Sequence, residues 1–285
     1  MKQILVISGK GGTGKTVLTA SFAALAKNKI MADCDVDAAD LHILLHPTIK
    51  ERNIFKSGQT AVIDKDLCIT CGKCIKFCRF KAISQDYIVD PIDCEGCALC
   101  KHICPVDAIK MEDNVSGEWF ISDTKYGPLV HAKLGIAEEN SGKLVSLVRK
   151  QAEELALKQN SDYVIVDGPP GTGCPVIASL ANIDLVVVVT EPTLSGMHDM
   201  QRVLELTQHF KIKACVVINK FDLNIDNTKE IEVLCENKKV PVIGSIPFSK
   251  EVTQSVVKMK PFTEFSNNEI SKEIKKIWDQ IKDSF

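Results

Sequence analysis

Two stretches of this sequence carry residue types at spacings that can do chemistry. In Ser8-Gly9-Lys10-Gly11-Gly12-Thr13-Gly14-Lys15-Thr16, the glycines let successive backbone N–H groups turn inward, and a helix expected from about Lys15 adds its positive end. A triphosphate fits such a cradle. Gly11, Gly12, Thr13 and Gly14 surround the phosphates, Lys15 reaches the β- and γ-phosphates, and the Thr16 hydroxyl is placed for Mg²⁺. The second stretch is a cysteine array, Cys68-x-x-Cys71-x-x-Cys74-x-x-x-Cys78, which recurs as Cys94-x-x-Cys97-x-x-Cys100-x-x-x-Cys104-Pro105. The offset of 26 residues (94 minus 68) also relates Asp64 to Asp90, Ala82 to Ala108 and Ile83 to Ile109, so the segment is an internal duplication. Thiolate sulfur is the soft donor that iron–sulfur clusters take, and the short spacing lets one loop face three irons of a cube.

These groups need a scaffold, and the apolar pattern supplies one. Residues 4–7, 30–32, 163–167, 185–190, 214–218 and 242–246 are short apolar runs of the kind buried on both faces of a parallel sheet. Helical patterns at 17–26, 144–157, about 250–258 and 270–285 stand between or after them. In such an α/β sheet ligands sit beyond the carboxyl ends of the strands. Asp33, Asp35, Asp37 and Asp40 are therefore expected to face the glycine loop, with Asp35 the first choice for a role there and Asp37 and Asp40 as alternatives, and Asp167 closes its strand as an acid that holds Mg²⁺ through water. Gly168-Pro169-Pro170-Gly171-Thr172-Gly173 is expected beside the γ-phosphate. Residues 41–59, broken by Pro47 and Gly58, read as a connector; 119–123 read as a strand returning to the main sheet; Ser141 is a candidate helix cap. His131 is a candidate proton or metal group, weighed against a structural role.

Lys10 completes K-G-G-x-G-K-T, which resembles the deviant Walker A signature of MinD/Mrp-type P-loop ATPases, and Asp167-Gly168-Pro169-Pro170-Gly171 is similar to the same group. The resemblance covers residues 1–59 and 112–285, while 60–111 resembles a two-[4Fe-4S] ferredoxin domain. It implies an α/β fold: a doubly wound, mainly parallel sheet of the SIMIBI P-loop type with an inserted small α+β ferredoxin-like domain. It also implies ATP, Mg²⁺ and two [4Fe-4S] clusters as cofactors, and an ATP-dependent homodimer in which Lys10 crosses to the partner's nucleotide. Asp35 then positions the attacking water and Asn219 contacts adenine. Asn219-Lys220-Phe221-Asp222 is also the guanine-reading pattern of GTPases, so the base stays open, with ATP favoured. The fourth cysteine of each run is expected to serve the other cluster. Cluster one takes Cys68, Cys71, Cys74 and Cys104; cluster two takes Cys94, Cys97, Cys100 and Cys78. The duplication departs from itself at one point, since Arg79-Phe80 follows Cys78 where Pro105 follows Cys104. Cys174 lies in the loop where the related nitrogenase iron protein has a cluster cysteine, but no second cysteine occurs in 112–162, so it reads as a small buried residue at a helix start.

The 285 residues carry a net charge of -2, which gives no electrostatic footprint for nucleic acid. No apolar run approaches a bilayer span, and the chain opens directly into a strand without a signal peptide. A cytoplasmic location is expected, and there twelve cysteines point to metal rather than disulfides. The apolar stripe Ile270, Ile274, Ile277, Trp278, Ile281, Phe285 is similar to the membrane-targeting tail of MinD, yet its charged face is balanced between Lys and Glu or Asp, so it is expected to pack on the sheet. Three roles fit. The first is an ATPase coupled to low-potential electron transfer, or metallocentre maturation, in an unidentified redox or metalloprotein partner. The others are an iron–sulfur scaffold or carrier, and a MinD-like partitioning ATPase. Insertion soon after Asp35 suggests that the cysteine domain hangs from the nucleotide face and responds to ATP or ADP.

Overall fold

The computed structural model describes residues 1–135 and 142–285. They fall into two compact units: Met1–Asn53, Trp119–Lys133 and residues 142–285 form the larger, and Ile54–Glu118 with residues 134–135 the smaller. In chain order the elements are β1 (Lys2–Ser8), α1 (Lys15–Leu25), β2 (Lys29–Asp33), α2 (Leu41–Leu45), β3 (Thr48–Ile63), α3 (Lys73–Phe77), α4 (Leu99–His102) and β4 (Ile109–Thr124). Then follow β5 (Gly127–Leu134), α5 (Lys143–Gln159), β6 (Tyr163–Pro170), α6 (Cys174–Ser179), β7 (Leu185–Thr190), α7 (Leu194–His209) and β8 (Lys213–Asn219). The chain ends with α8 (Ile225–Asn237), β9 (Val242–Ile246), α9 (Lys250–Val257), α10 (Phe262–Phe265) and α11 (Glu269–Asp283).

The sheet has nine strands in the order β3-β4-β5-β2-β6-β1-β7-β8-β9. From β5 to β9 the described pairings are parallel. Ile4, Leu5, Val6 and Ile7 are fully buried because helices cover both faces, which is why β1 and β7 read as unbroken apolar runs rather than alternating ones. One face is filled by Phe22, Ile165, Phe262 and the α11 stripe, with the Phe22 and Trp278 rings 5.4 Å apart. Ile270, Ile274, Ile277, Trp278 and Ile281 are buried, so the amphipathic stripe is core; Phe285, counted with it from sequence, lies outside and is 40% exposed. Among the described residues no helix is long and apolar enough to cross a membrane.

Two segments differ from the sequence expectation. Residues 48–59, read as part of a connector, belong to the long strand β3, and the strand expected at 119–123 is the end of the sixteen-residue β4. β3 is mostly solvent-facing, and β4 mixes buried residues such as Ser116, Gly117 and Phe120 with exposed ones without strict alternation, so neither carries a clean apolar face to betray a strand. The helix-start residue Ser141 lies outside the described residues; α5 begins after Gly142, whose φ is 83°.

The smaller unit is built on the duplication. Asp64 N–H donates to the Ala108 carbonyl at 2.8 Å, and its repeat-mate Asp90 N–H donates to the Ala82 carbonyl at 2.7 Å, so each repeat is tied to the other reciprocally. Left-handed backbone recurs at the same offset: Thr70 and Gly96, Gly72 and Ala98, Lys81 and Asp107 all have positive φ. The short helices α3 and α4 follow Gly72 and Ala98 at equivalent places. Its core is small, with Ala61, Ile83 and Ile109 packed among Cys74, Cys78, Cys94, Cys100 and Cys104.

Candidate functional site

The glycine loop joins the end of β1 to α1, at a point where β1 lies between β6 and β7 and the connections part to opposite sides. Its path depends on close approach. A Cβ on Gly9 would meet Asp199 Cβ at 2.3 Å, and Gly14, the residue capping α1, sits at φ 91°. Gly171 N–H donates to the Ser8 carbonyl at 2.9 Å, which draws the loop after β6 against the glycine loop.

Side chains from three neighbouring strand ends converge here. Lys15 Nζ is 2.6 Å from Asp35 Oδ2, 3.9 Å from Asp167 Oδ1 and 3.5 Å from Thr16 Oγ1. Thr19, a residue the sequence reading passed over, donates to Asp167 Oδ1 at 3.0 Å. Asp33, expected to face the loop with its neighbouring aspartates, has no role of its own in the sequence reading. It lies beside Asp167 in the β2–β6 register, is fully buried, and accepts the Asp35 and Leu41 N–H groups at 3.2 and 3.3 Å. The alternatives to Asp35, Asp37 and Asp40, are exposed, and the Asp40 side chain does not cap α2.

Three acids around one lysine leave an excess of buried negative charge. Burial, followed by repulsion from Asp167, pushes Asp33 well above the usual carboxylate range. Burial also raises Asp167, against the pull of Lys15, Thr16 and Thr19. For Lys15, burial works downward but Asp167 and Asp35 outweigh it and raise its pKa. Asp167 Oδ2 and Thr13 Oγ1 are both buried without a hydrogen-bond partner. An orphaned carboxylate oxygen in an acid cluster is the donor a hard divalent cation takes, so the residues present fit Mg²⁺.

Two further groups clamp the loop. Asn219 donates to the Thr13 carbonyl at 2.7 Å, and Lys220 Nζ reaches the Gly12 carbonyl at 3.1 Å. Asp222 accepts the Phe248 N–H at 2.7 Å. Lys10 is turned onto its own chain: its Nζ lies 2.5 Å from Glu191 and 3.1 Å from each of the Thr193 and Ser195 hydroxyls. Burial would raise the Glu191 pKa, but Lys10 and Lys220 hold it below the ordinary value. Glu191 had no signal in the sequence beyond standing after an apolar strand.

The eight array cysteines line two cavities of the smaller unit. Cys68, Cys71, Cys74 and Cys104 line one. Cys78, Cys94, Cys97 and Cys100 line the other, so the last cysteine of each run stands with the first three of its repeat-mate. Burial raises the Cys74 and Cys100 thiols, and each also senses two cysteines of its own run. Among the described residues no three His, Cys, Asp or Glu side chains close on a point as around a single ion. Four soft sulfurs spread around each of two cavities are a donor set suited to a polynuclear cluster.

The other candidates separate from these sites. His131 is buried, bonded to Ser122 Oγ at 2.9 Å and stacked on Phe120, and burial then His42 lower its pKa to about 4. Cys34, Cys215 and Cys235 are buried, and burial pushes the last two thiols up to about 12 and about 11. Cys174, expected to be buried, is exposed at the first position of α6, because that short helix turns only Val176 and Ser179 inward.

Residues 4–262 match the family described as CobQ/CobB/MinD/ParA nucleotide binding domain. An uncharacterised protein of Methanocaldococcus jannaschii is 32% identical over 288 residues, covering 99% of this chain and 96% of the relative. The pyruvate synthase subunit PorD of Methanothermobacter marburgensis is 39% identical over 75 residues, 24% of this chain and 93% of that protein. An iron–sulfur cluster carrier protein of Rickettsia conorii is 27% identical over 124 residues, 43% of this chain and 39% of the carrier. In fold, the chain superposes on the cell-division ATPase MinD of Pyrococcus furiosus with a TM-score of 0.61 at 16% identity, covering 100% and 99% of the two chains.

Proposed function

Because the chain belongs to the CobQ/CobB/MinD/ParA nucleotide-binding family, we propose that it is a Mg²⁺-dependent ATPase with two [4Fe-4S] clusters, coupling nucleotide state to low-potential electron transfer or metallocentre maturation in a partner protein. One observation carries the reading. The same chain holds a phosphate loop ringed by Lys15, Asp35 and Asp167, and eight cysteines divided four and four between two cavities. Domains follow from it: residues 60–111 as the ferredoxin-like insert, 1–59 and 112–285 as the ATPase.

The chain's own residues account for hydrolysis. The loop N–H groups and Lys15 bind the β- and γ-phosphates, and Lys15 leaves Asp35 to do so. Asp35, freed on the γ-phosphate side, orients the attacking water for in-line displacement. Thr16 and Asp167 would hold Mg²⁺, which when bound would supply positive charge to neutralise the phosphates. Lys10 leaves Glu191 for the γ-phosphate of a second copy, where it stabilises the charge that develops in the transition state. Asp222 already accepts the Phe248 N–H, which leaves it less free to read a guanine, so the base favoured is adenine. Cys68, Cys71, Cys74 and Cys104 would hold one cluster and Cys94, Cys97, Cys100 and Cys78 the other, each supplying a site for one electron. Eight cysteines in complete spacing favour retained clusters over donated ones.

Likeness to an iron–sulfur carrier keeps a second reading open, in which the clusters are cargo. Anaerobic purification with iron analysis and EPR, followed by ATP and GTP turnover and incubation with an apo-acceptor, decides between them. Iron that withstands a chelator, with ATP hydrolysed and no apo-acceptor activated, is the expected result. Transfer of iron to the acceptor supports the carrier; a chain without iron sinks both.

A further inference from the structure

The sheet ends at β9. It pairs with β8 on one side, and among the described residues no strand pairs with the other. An edge strand turns alternate backbone N–H and C=O groups outward without partners. Along this edge runs a groove of about 540 Å³ with residues 242–245 as its floor. Glu232, Cys235 and Glu236 of α8 form one wall, and Glu273 and Gln280 of α11 the other. Val242, Gly244 and Ser245 are half-buried, so neither helix closes over the strand. The lining holds three carboxylates and no cation. A Cβ on Gly244 would lie 3.2 Å from Glu273 Oε1, which puts that carboxylate over the strand, and its other oxygen is 3.4 Å from Lys276 Nζ. The remaining charges nearby are largely paired or outside. Lys238 is held by Glu205 at 3.3 Å and Lys272 by Glu269 at 2.6 Å; Lys229 and Lys239 are exposed beyond the lining, and so is Asp283, one turn after Gln280. Among the described residues Glu232 and Glu236 are in no ion pair. The acids thus stand inside the groove and the free cations outside it.

We infer that this edge is a docking site for an extended segment of another protein, rich in lysine or arginine, which adds as a further strand beside β9. Main-chain hydrogen bonds to the open edge hold such a segment, and its side chains turn alternately to the two walls, so that every second residue is read by the same helix. Those on the α8 side meet the unpaired Glu232 and Glu236 and are basic; those on the α11 side meet Gln280 and a carboxylate already bound to Lys276, and need only hydrogen-bond. A second copy of this chain is the poorer occupant, because β9 against β9 would gather the three lining carboxylates of each copy. The register of β8 with β9 also slips between Val216 and Val217, and an irregular edge discourages pairing of like strands. The site owes nothing to nucleotide or iron, so it stands apart from the function proposed above.

The probe is a labelled, end-capped hexapeptide of alternating lysine and threonine, titrated into the full-length protein by fluorescence anisotropy. Its glutamate–threonine counterpart, two N-methylated versions and spermidine serve as comparisons. The lysine peptide is expected to bind and the glutamate peptide not to. Methylating the backbone nitrogens of one alternate set should weaken binding by about tenfold or more, and methylating the other set should cost little, since only one edge of an added strand faces β9. A Glu232→Lys/Glu236→Lys variant should lose about tenfold or more for the lysine peptide and gain for the glutamate peptide. Glu230→Lys/Asp279→Lys, the same change of charge at exposed positions of the same helices outside the lining, should leave both within about twofold. All four positions are exposed, so folding should tolerate the changes, and thermal unfolding checks each variant. A wild type that ignores the lysine peptide, or a folded groove variant that binds it equally well, overturns the site. Equal loss from both methylated sets, or from neither, overturns strand addition. Spermidine that displaces the peptide at equal concentration makes the occupant a small polycation, and self-association of the nucleotide-free wild type that the peptide dissolves makes it a second copy; either overturns the choice of a protein segment. None of these readings depends on iron content or ATP turnover.

Discussion

Lys15 and Asp35 form a buried ion pair, and under the proposed function nucleotide has to open it, because the same ammonium would be needed at the phosphates. If Asp35 then orients water, Asp35→Asn should keep or tighten ATP binding, since a carboxylate beside the phosphates is gone, while turnover falls by about 10²-fold. If Asp35 only parks the lysine, turnover is untouched; single-turnover hydrolysis against nucleotide affinity separates the two. His131 gives a test of the core instead. Its pKa falls from 6.5 to about 4 in the fold, so the unfolded chain takes up the proton first. Stability is therefore whole above pH 6.5 and is lost as pH falls toward 4, by about 3 kcal/mol when the shift is converted at 1.36 kcal/mol per unit. Urea unfolding of His131→Gln should show that acid limb flattened. The lysines, Thr16, Asp35, Asp167 and the cysteines were legible because each sits in a spaced motif whose chemistry fixes residue type. Glu191 was not, and Asp33 was placed at the loop but without its role, since a buried acid announces its part only through the neighbours that the fold brings, here Lys10 with Lys220 for the first and Asp167 for the second.

Among the elements, those buried on both faces or along a clean stripe could be read directly, from β1 and β7 to α11. The long β3 and β4 could not: Lys50, Glu51 and Arg52 open β3 in solvent, and in β4 the adjacent Ser116 and Gly117 are both buried, so neither shows a clean period. The α11 stripe makes a sharp claim on β9. A Cβ at Gly244 would lie 2.4 Å from Ile277 Cγ1, so β9 is glycine there because the helix comes so close. Gly244→Ala should destabilise by about 1–3 kcal/mol through overpacking. Ile277→Ala should cost about 2–5 kcal/mol as a cavity, and the pair should cost less than the two added, because one methyl fills part of the space the other leaves. Strict additivity in denaturant unfolding would mean that helix and strand do not touch as described.

For the molecule as a whole the question is whether two chemistries on one chain speak to each other. Coupling between binding sites is reciprocal: if ATP alters the surroundings of the clusters, cluster loading must alter ATP affinity by the same factor. That requirement can be met or broken without knowing the partner. Cys78→Ala removes one ligand from the second cavity only and leaves Lys15, Asp35 and Asp167 untouched, so about half the iron should go while ATP is still bound. Under coupling, its ATP dissociation constant should differ from that of the iron-loaded wild type by roughly 5-fold or more. Lys15→Ala should do the converse, keeping all the iron but erasing any response of the cluster EPR spectrum to ATP. An unchanged affinity in the first variant, together with a spectrum indifferent to ATP in the wild type, would leave an ATPase and a cluster carrier joined only by their peptide bonds. A shift in both, of matching size, is what a nucleotide-gated electron donor requires, since hydrolysis can direct an electron only through a free-energy difference that the clusters also feel.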